Sequence, residues 1–106
     1  MDESHVLFRS RKPLGFEICA TRARWAIICT VKHPVMRGRE QDVARVLEAP
    51  DQVRRSARDP KVFLFYRLER PGRWLCAVAK CAGEEGFLIT GYPTDAIKEG
   101  ERTWNR

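Results

Sequence analysis

The residues of this chain best suited to chemistry are His33, in Lys32-His33-Pro34, and a set of hydroxyls, phenols and cations spread through its second half. An imidazole gives or takes a proton near neutrality, which suits it to acid–base work. Arg54, Ser56, Tyr66, Lys80 and Thr94 supply positive charge and hydrogen-bond donors, and Arg55, Arg58, Arg67, Thr90 and Tyr92 add more of the same kinds. Fixed charge is what a developing pentavalent phosphorane requires. Hydroxyls donate to phosphate oxygens, and tyrosine rings offer a stacking face to a base. The set points to proton transfer at a phosphate ester, with arginine neutralising the charge.

Each of these residues also has a plain structural reading. A histidine just before a proline caps the end of a helix by bonding its last carbonyls. Arginines at 54, 55 and 58 suit a solvated edge strand, where charge discourages strand-to-strand aggregation. Thr94 fits an N-cap, and Tyr92 fits core packing. His33, the centre of the chemical reading, is one of only two histidines.

The elements that position these residues follow from periodicity. Residues 1–13 form an N-terminal arm or a short edge strand, and residues 14–106 form a single domain. Leu14–Cys19 alternates as a strand does, and Thr21 stands as N-cap to a helix from about Arg22 to about Lys32, with Trp25, Ile28 and Cys29 turned inward. Pro34 ends that helix, because the residue before a proline avoids helical geometry. Gly38–Ala49 predicts a second, amphipathic helix with Val43, Val46 and Leu47 on one face. Strands are expected at Val53–Ala57, Val62–Leu68, Arg73–Cys81 and Phe87–Tyr92, parted by Asp59-Pro60, Pro71-Gly72 and Gly83–Gly86. Thr94 caps a short closing helix over Asp95–Glu99, stopped by Gly100. The expected architecture is α+β: two N-terminal helices packed on a four-stranded antiparallel β-meander with a short C-terminal helix.

Strand residues two apart share a face. Arg54, Ser56 and Arg58 therefore lie together, Tyr66 joins Val62 and Leu64, and Arg67 points the other way with Phe63 and Phe65. Lys80 joins Trp74, Cys76 and Val78, and Thr90 joins Leu88 and Tyr92. The polar tips are expected to converge near one end of a single sheet face.

Composition bounds the function. The chain has 106 residues, one domain's length, with a net charge of +6 carried largely by arginine, which fits a polyanionic partner such as nucleic acid. Its longest apolar run, Trp25–Val31, is far shorter than the roughly 20 residues of a bilayer span. The acidic start, Met-Asp-Glu-Ser-His, is unlike a signal peptide and predicts a cytoplasmic protein without membrane partners. Cys19, Cys29, Cys76 and Cys81 sit in apolar segments with no Cys-x-x-Cys pair, so they read as buried thiols and not as zinc ligands or disulfides. The chain has no Walker loop, dinucleotide glycine pattern, nucleophile elbow or grouped carboxylates, which argues against ATP, NAD and two-metal chemistry.

The blocks Lys32–Pro34, Pro50-Asp51 with Arg54–Ser56, Asp59-Pro60 with Phe65–Arg67, Trp74–Lys80, Gly86–Thr90, and Tyr92–Glu101 with Trp104 occur in an ordered series. In that order the chain resembles the phage and toxin-type branch of the barnase, EndoU, colicin and RelE-like nuclease superfamily, over about residues 14–104. The resemblance implies a small, cytoplasmic, toxin-like ribonuclease that needs no metal or other cofactor and cleaves RNA by attack of the 2′-hydroxyl on the adjacent phosphate. It implies His33 as acid or base, Arg54 and Ser56 as phosphate contacts, Tyr66 and Lys80 as sheet-face contributors and Thr94 as a late polar ligand. RNA is the expected partner, with an antitoxin or inhibitor protein as a possible second one. A non-catalytic RNA-binding or protein-interaction module on the same scaffold is the alternative. Similar sequences place an acidic residue just after His-Pro, whereas this chain has Val35-Met36. That leaves His33 without an obvious carboxylate partner, and catalysis would rest on histidine, arginine and positioning.

Overall fold

A computed structural model of the protein describes residues 6–10, 15, 17–97 and 101–105. In chain order these form β1 (Val6–Ser10), β2 (Glu17–Thr21), α1 (Arg22–Ile27), α2 (Glu40–Glu48), β3 (Gln52–Arg55), β4 (Val62–Arg70), β5 (Arg73–Ala82), β6 (Glu85–Thr94) and β7 (Glu101–Asn105). A π-helical turn, Ile28–Lys32, continues α1 directly, and a 3₁₀ turn spans Pro34–Met36. The strands make one sheet in the order β1-β2-β6-β5-β4-β3-β7.

Val62–Tyr66, the first part of β4, is wholly aliphatic or aromatic, and the turn from β4 into β5 uses Pro71 followed by Gly72 at φ 76°, a conformation open to glycine. Gly83, at φ 65°, serves the β5–β6 turn in the same way. The result is three long antiparallel strands, with β3 antiparallel to β4 beside them.

Both helices cover one face of this sheet. Val43, Val46 and Leu47 of α2, with Trp25, Ile28, Cys29 and Met36, bury against Ile18, Val53, Phe63, Phe65, Leu75 and Leu88. Ala77 and Ala79 on β5 are fully buried there, and their small side chains let the helices approach closely. Gly91 on β6 also faces the helices, where a methyl would meet Val43 Cγ2 at 3.5 Å and Met36 Cε at 3.6 Å in ordinary contact.

The Thr21 hydroxyl accepts the Arg24 N–H at 3.1 Å, a true N-cap. The following helix widens after Ile27, where Thr30 Oγ1 donates to the Ala26 carbonyl at 2.7 Å and the His33 N–H reaches back five residues to the Ile28 carbonyl at 2.7 Å. His33 itself leaves helical geometry, at φ −144° and ψ 82°, as its place before Pro34 requires.

The architecture departs from two N-terminal helices on a four-stranded antiparallel meander. The sheet has seven strands and is mixed, because both ends of the chain add strands to it. β1 pairs with β2, β2 runs parallel to β6 over Glu17–Cys19, and β7 pairs with β3. These additions satisfy backbone groups that the edges of the meander would leave open. The arm of residues 1–13 thus contributes an edge strand at Val6–Ser10.

The closing helix expected at Asp95–Glu99 does not begin. Thr94 ends β6, opposite Trp74, and its hydroxyl both donates to the Ala96 carbonyl and accepts the Ala96 N–H, a local turn in place of a cap. Residues 98–100 of that segment lie outside the described residues. Pro93 continues the strand opposite Leu75, tolerated because β2 pairs with β6 only as far as Phe87. The helical segment lies beside the rest of that edge.

Candidate functional site

The face of the sheet that the helices leave carries a second, smaller cluster. Tyr66, Cys76 and Val78 are buried in it, and Val62, Leu64, Trp74, Ile89, Tyr92 and Ile97 pack around them half-buried. Cross-strand partners share a face, so the register places the other residues. Gln52, Tyr66, Cys76 and Tyr92 form one row across β3, β4, β5 and β6. Arg54, Leu64, Val78 and Thr90 form the next, and Val62, Lys80 and Phe87 the one after. In the other direction Leu68, Trp74 and Thr94 make a row of their own.

A bulge on β6 creates this arrangement. Val78 pairs with Thr90 but Ala79 pairs with Leu88, so Ile89 is the extra residue. Leu88 therefore enters the helix-side core, while Thr90 and Tyr92 turn to the open face. Simple alternation put Leu88 and Thr90 on one face, and the bulge separates them.

His33 stands at the margin of this face. Its ring centroid lies 5.2 Å from that of Tyr92, with the planes tilted by 40°. Burial pushes the Tyr92 phenol far above its ordinary range, and a side-chain hydrogen bond shared with Cys76, together with nearby Tyr66, adds to the rise. Tyr92 is thus a neutral ring and hydroxyl at any physiological pH, able to orient an imidazole or stack on a base but not to act as a base itself.

The remaining candidates divide by face. Arg54, Lys80, Thr90, Tyr92 and Thr94 share the open face, half-exposed, although the Thr90 hydroxyl oxygen is itself buried. Tyr66 is on it too but is fully buried, so it supports the surface and does not touch a ligand. Arg55 and Arg67 point to the helix side: Arg55 lies over the Phe63 ring at 5.5 Å, with its Nε buried and unpartnered, and Arg67 Nη1 donates to the Ala49 carbonyl that ends α2. Neither belongs to the same surface as Arg54. Ser56 and Arg58 follow the end of β3, and the Ser56 hydroxyl accepts the Arg58 N–H at 3.1 Å. The strand on which Arg54, Ser56 and Arg58 were to share a face stops at Arg55.

The candidates also do not converge at one end. Tyr92 and Arg54 are three strands apart and two residues offset, roughly 16 Å along the sheet at ordinary strand spacing. Lys80 is one strand from Tyr92 and four residues along, roughly 14 Å away. His33 and the two cations therefore cannot grip one phosphate together. They can hold successive points along an extended strand.

One carboxylate went unnoticed in the sequence except as part of a turn. Asp59 Oδ2 lies 3.4 Å from Lys80 Nζ, and its Oδ1 accepts the Lys61 N–H at 2.9 Å. That backbone hydrogen bond, and then Lys80, hold the Asp59 carboxyl below its usual range. Asp59 fixes the Lys80 ammonium at the end of the open face. Only the pairing of β4 with β5 brings the two together, so nothing in their spacing announced it. Arg54 is similarly oriented, its Nε donating to Gln52 Oε1 at 2.9 Å.

Two shallow clefts lie elsewhere. One, of about 290 Å³, runs between α2 and β4 past Arg45, Arg67 and Glu69, the last of which pairs with Arg39. The other, of about 470 Å³, separates α2 from Leu7 and Phe8 of β1. Neither adjoins His33, and only the first reaches the open face, at Leu68. Among the described residues, no helix is long and apolar enough to cross a membrane. No family model, no curated protein and no solved structure matches the chain.

Proposed function

We propose that the open sheet face binds single-stranded RNA and that His33 cleaves it without a metal, as a small toxin-like ribonuclease. The observation that carries this reading is the arrangement of one face: an imidazole set against Tyr92 at its margin, with Thr90, Trp74, Lys80 and Arg54 spread across it. Aromatic rings and separated cations on a sheet are what a flexible polyanion needs, since bases stack on rings while phosphates meet the cations.

In this reading the scissile phosphate lies at the His33 margin. The RNA 2′-oxygen attacks phosphorus, its proton leaves to a base, and the bond from phosphorus to the 5′-oxygen breaks as that oxygen takes a proton. The products are a 2′,3′-cyclic phosphate and a 5′-hydroxyl. His33 performs one of the two proton transfers. Beside it the Tyr92 ring offers a stacking face, its hydroxyl held by Cys76, while the Thr90 hydroxyl oxygen is buried beneath the surface and Thr94 stands one row further along. Lys80 and Arg54 hold phosphates further along the strand, each fixed by a neighbour: Asp59 for Lys80 and Gln52 for Arg54. This fixes register and affinity and leaves the reacting centre without a close arginine.

The separation of Arg54 from His33 favours a second reading, an RNA-binding surface that does no chemistry. The two differ in one test. Incubation of purified protein with a single-stranded RNA yields cyclic-phosphate ends that vanish with His33→Ala under the first reading. Under the second, RNA stays intact and binds wild type and variant alike.

A further inference from the structure

Ile27 and Val31 lie four residues apart on the helical segment that ends at His33, Val35 follows in the 3₁₀ turn just beyond it, and the three are exposed by 41%, 74% and 61%. Large aliphatic side chains rarely line up in the open on a small domain, where exposed apolar residues are normally scattered. Ala23, Ala26 and Pro34 are exposed on the same segment and extend its apolar character. Along this stretch of chain the charge has a single sign: from Ile18 to Arg37 it contains Arg22, Arg24, Lys32 and Arg37 and no aspartate or glutamate, whereas Arg39 beyond it is paired with Asp42 and Glu69.

We infer that this ridge is a docking surface for an acidic amphipathic segment of a protein partner. An apolar stripe with basic flanks is complementary to a helix that presents aliphatic residues on one face and carboxylates beside them. A second copy of this chain fits poorly, because two such ridges brought together would set like charges against each other. A nucleic acid offers nothing to aliphatic side chains at this density. A bilayer surface suits helices with Trp, Phe or Leu on the apolar face, whereas the exposed crest here is short and β-branched. His33 lies between Val31 and Val35 in the chain, so a partner resting on both meets the segment that sets His33 against Tyr92. The docking surface itself stands independently of the ribonuclease reading.

The test uses a labelled synthetic helix of about 20 residues, leucine on one face and glutamate elsewhere, together with a scrambled peptide of equal composition. Fluorescence anisotropy reads binding to the full chain, to Val31→Asn/Val35→Asn and to Leu68→Asn, whose apolar side chain is exposed elsewhere on the molecule. Both valines are solvent-facing, and far-ultraviolet circular dichroism with a thermal melt checks that each variant is folded. The expected result is binding that weakens with salt, falls at least tenfold in the double variant and is retained in Leu68→Asn. Equal binding of the scrambled peptide, indifference to the valines, or no binding by the wild type would overturn the inference. Valine-dependent binding to phosphatidylserine vesicles in place of the peptide would also overturn it.

Discussion

The imidazole of His33 and the phenol of Tyr92 meet at 5.2 Å although they belong to different layers of the molecule, one to the end of a helical segment and one to a sheet strand. Two local irregularities bring this about. The π turn at Ile28–Lys32 and the Pro34 boundary turn His33 out of the helix, and the bulge at Ile89 turns Tyr92 to the open face. The contact gives the histidine a fixed neighbour at the rim of a surface that carries cations and aromatic rings.

Removing the Tyr92 hydroxyl separates orientation from stacking. Tyr92→Phe keeps the ring against His33 and loses the hydrogen bond to Cys76, which costs about 1 kcal/mol of stability. RNA affinity should change little, and Tyr92→Ala should weaken it further by about 1–3 kcal/mol if a base stacks there. Urea denaturation and RNA titration of the two variants measure these effects separately.

Under the proposed function Lys80 and Arg54 are independent phosphate contacts. Each single substitution to alanine should reduce the slope of log K against log salt by about 0.7, and the double substitution by about twice that. Neither should shift the site of strand scission. A binding titration at several salt concentrations, with mapped ends, checks both statements. Asp59→Asn removes the carboxylate that competes with phosphate for Lys80, so it should act in the opposite sense to Lys80→Ala and steepen the slope.

Gly86 holds a place that no side chain fits. A methyl there would lie 2.9 Å from Cys81 Sγ and 3.0 Å from the Lys80 carbonyl oxygen. Gly86→Ala should destabilise the β5–β6 pair by about 1–3 kcal/mol, read as a lowered denaturation midpoint. Adding Cys81→Ala should recover part of the loss, because one of the two crowding atoms is then gone.

Burial raises the Cys81 thiol to about 11, and it raises Cys29 as well. The folded state therefore holds the Cys81 proton more tightly than the unfolded chain does. The stabilisation this gives is complete below the ordinary thiol range, near 9, and is lost as pH climbs through the folded value. At pH 8 a thiolate-selective reagent should label the more accessible Cys19 first and Cys29, Cys76 and Cys81 slowly, with the Cys81 rate rising until pH passes about 11. Peptide mapping after timed labelling gives the order.

Much of this structure is legible where short-range chemistry decides it. Val43, Val46 and Leu47 announce the inner face of α2, Thr21 announces a cap, and Pro71-Gly72 announces the β4–β5 turn. What depends on long-range pairing is not legible. Nothing near Glu17–Cys19 says that it lies parallel to β6, and nothing in residues 101–105 says that they pair with β3. The same limit governs the site. Alternation assigns Tyr66, Lys80 and Arg67 to their faces correctly, but the bulge at Ile89 reverses Leu88 relative to Thr90. It cannot reveal that Tyr66 is fully buried, that Lys80 meets Asp59, or that Arg54 lies far from His33.

Proton transfer by His33 on RNA bound to the open sheet face is the step on which the proposed function turns. It is tested by inducing the wild type and His33→Ala under tight control in a bacterial host and mapping the 5′ and 3′ ends of total RNA. Fragments with cyclic-phosphate 3′ ends and 5′-hydroxyls are expected from the wild type alone, with both proteins folded to the same extent. Identical fragments from both would remove His33 from the mechanism, and intact RNA from both, with binding retained, would contradict the ribonuclease reading and leave a binding surface.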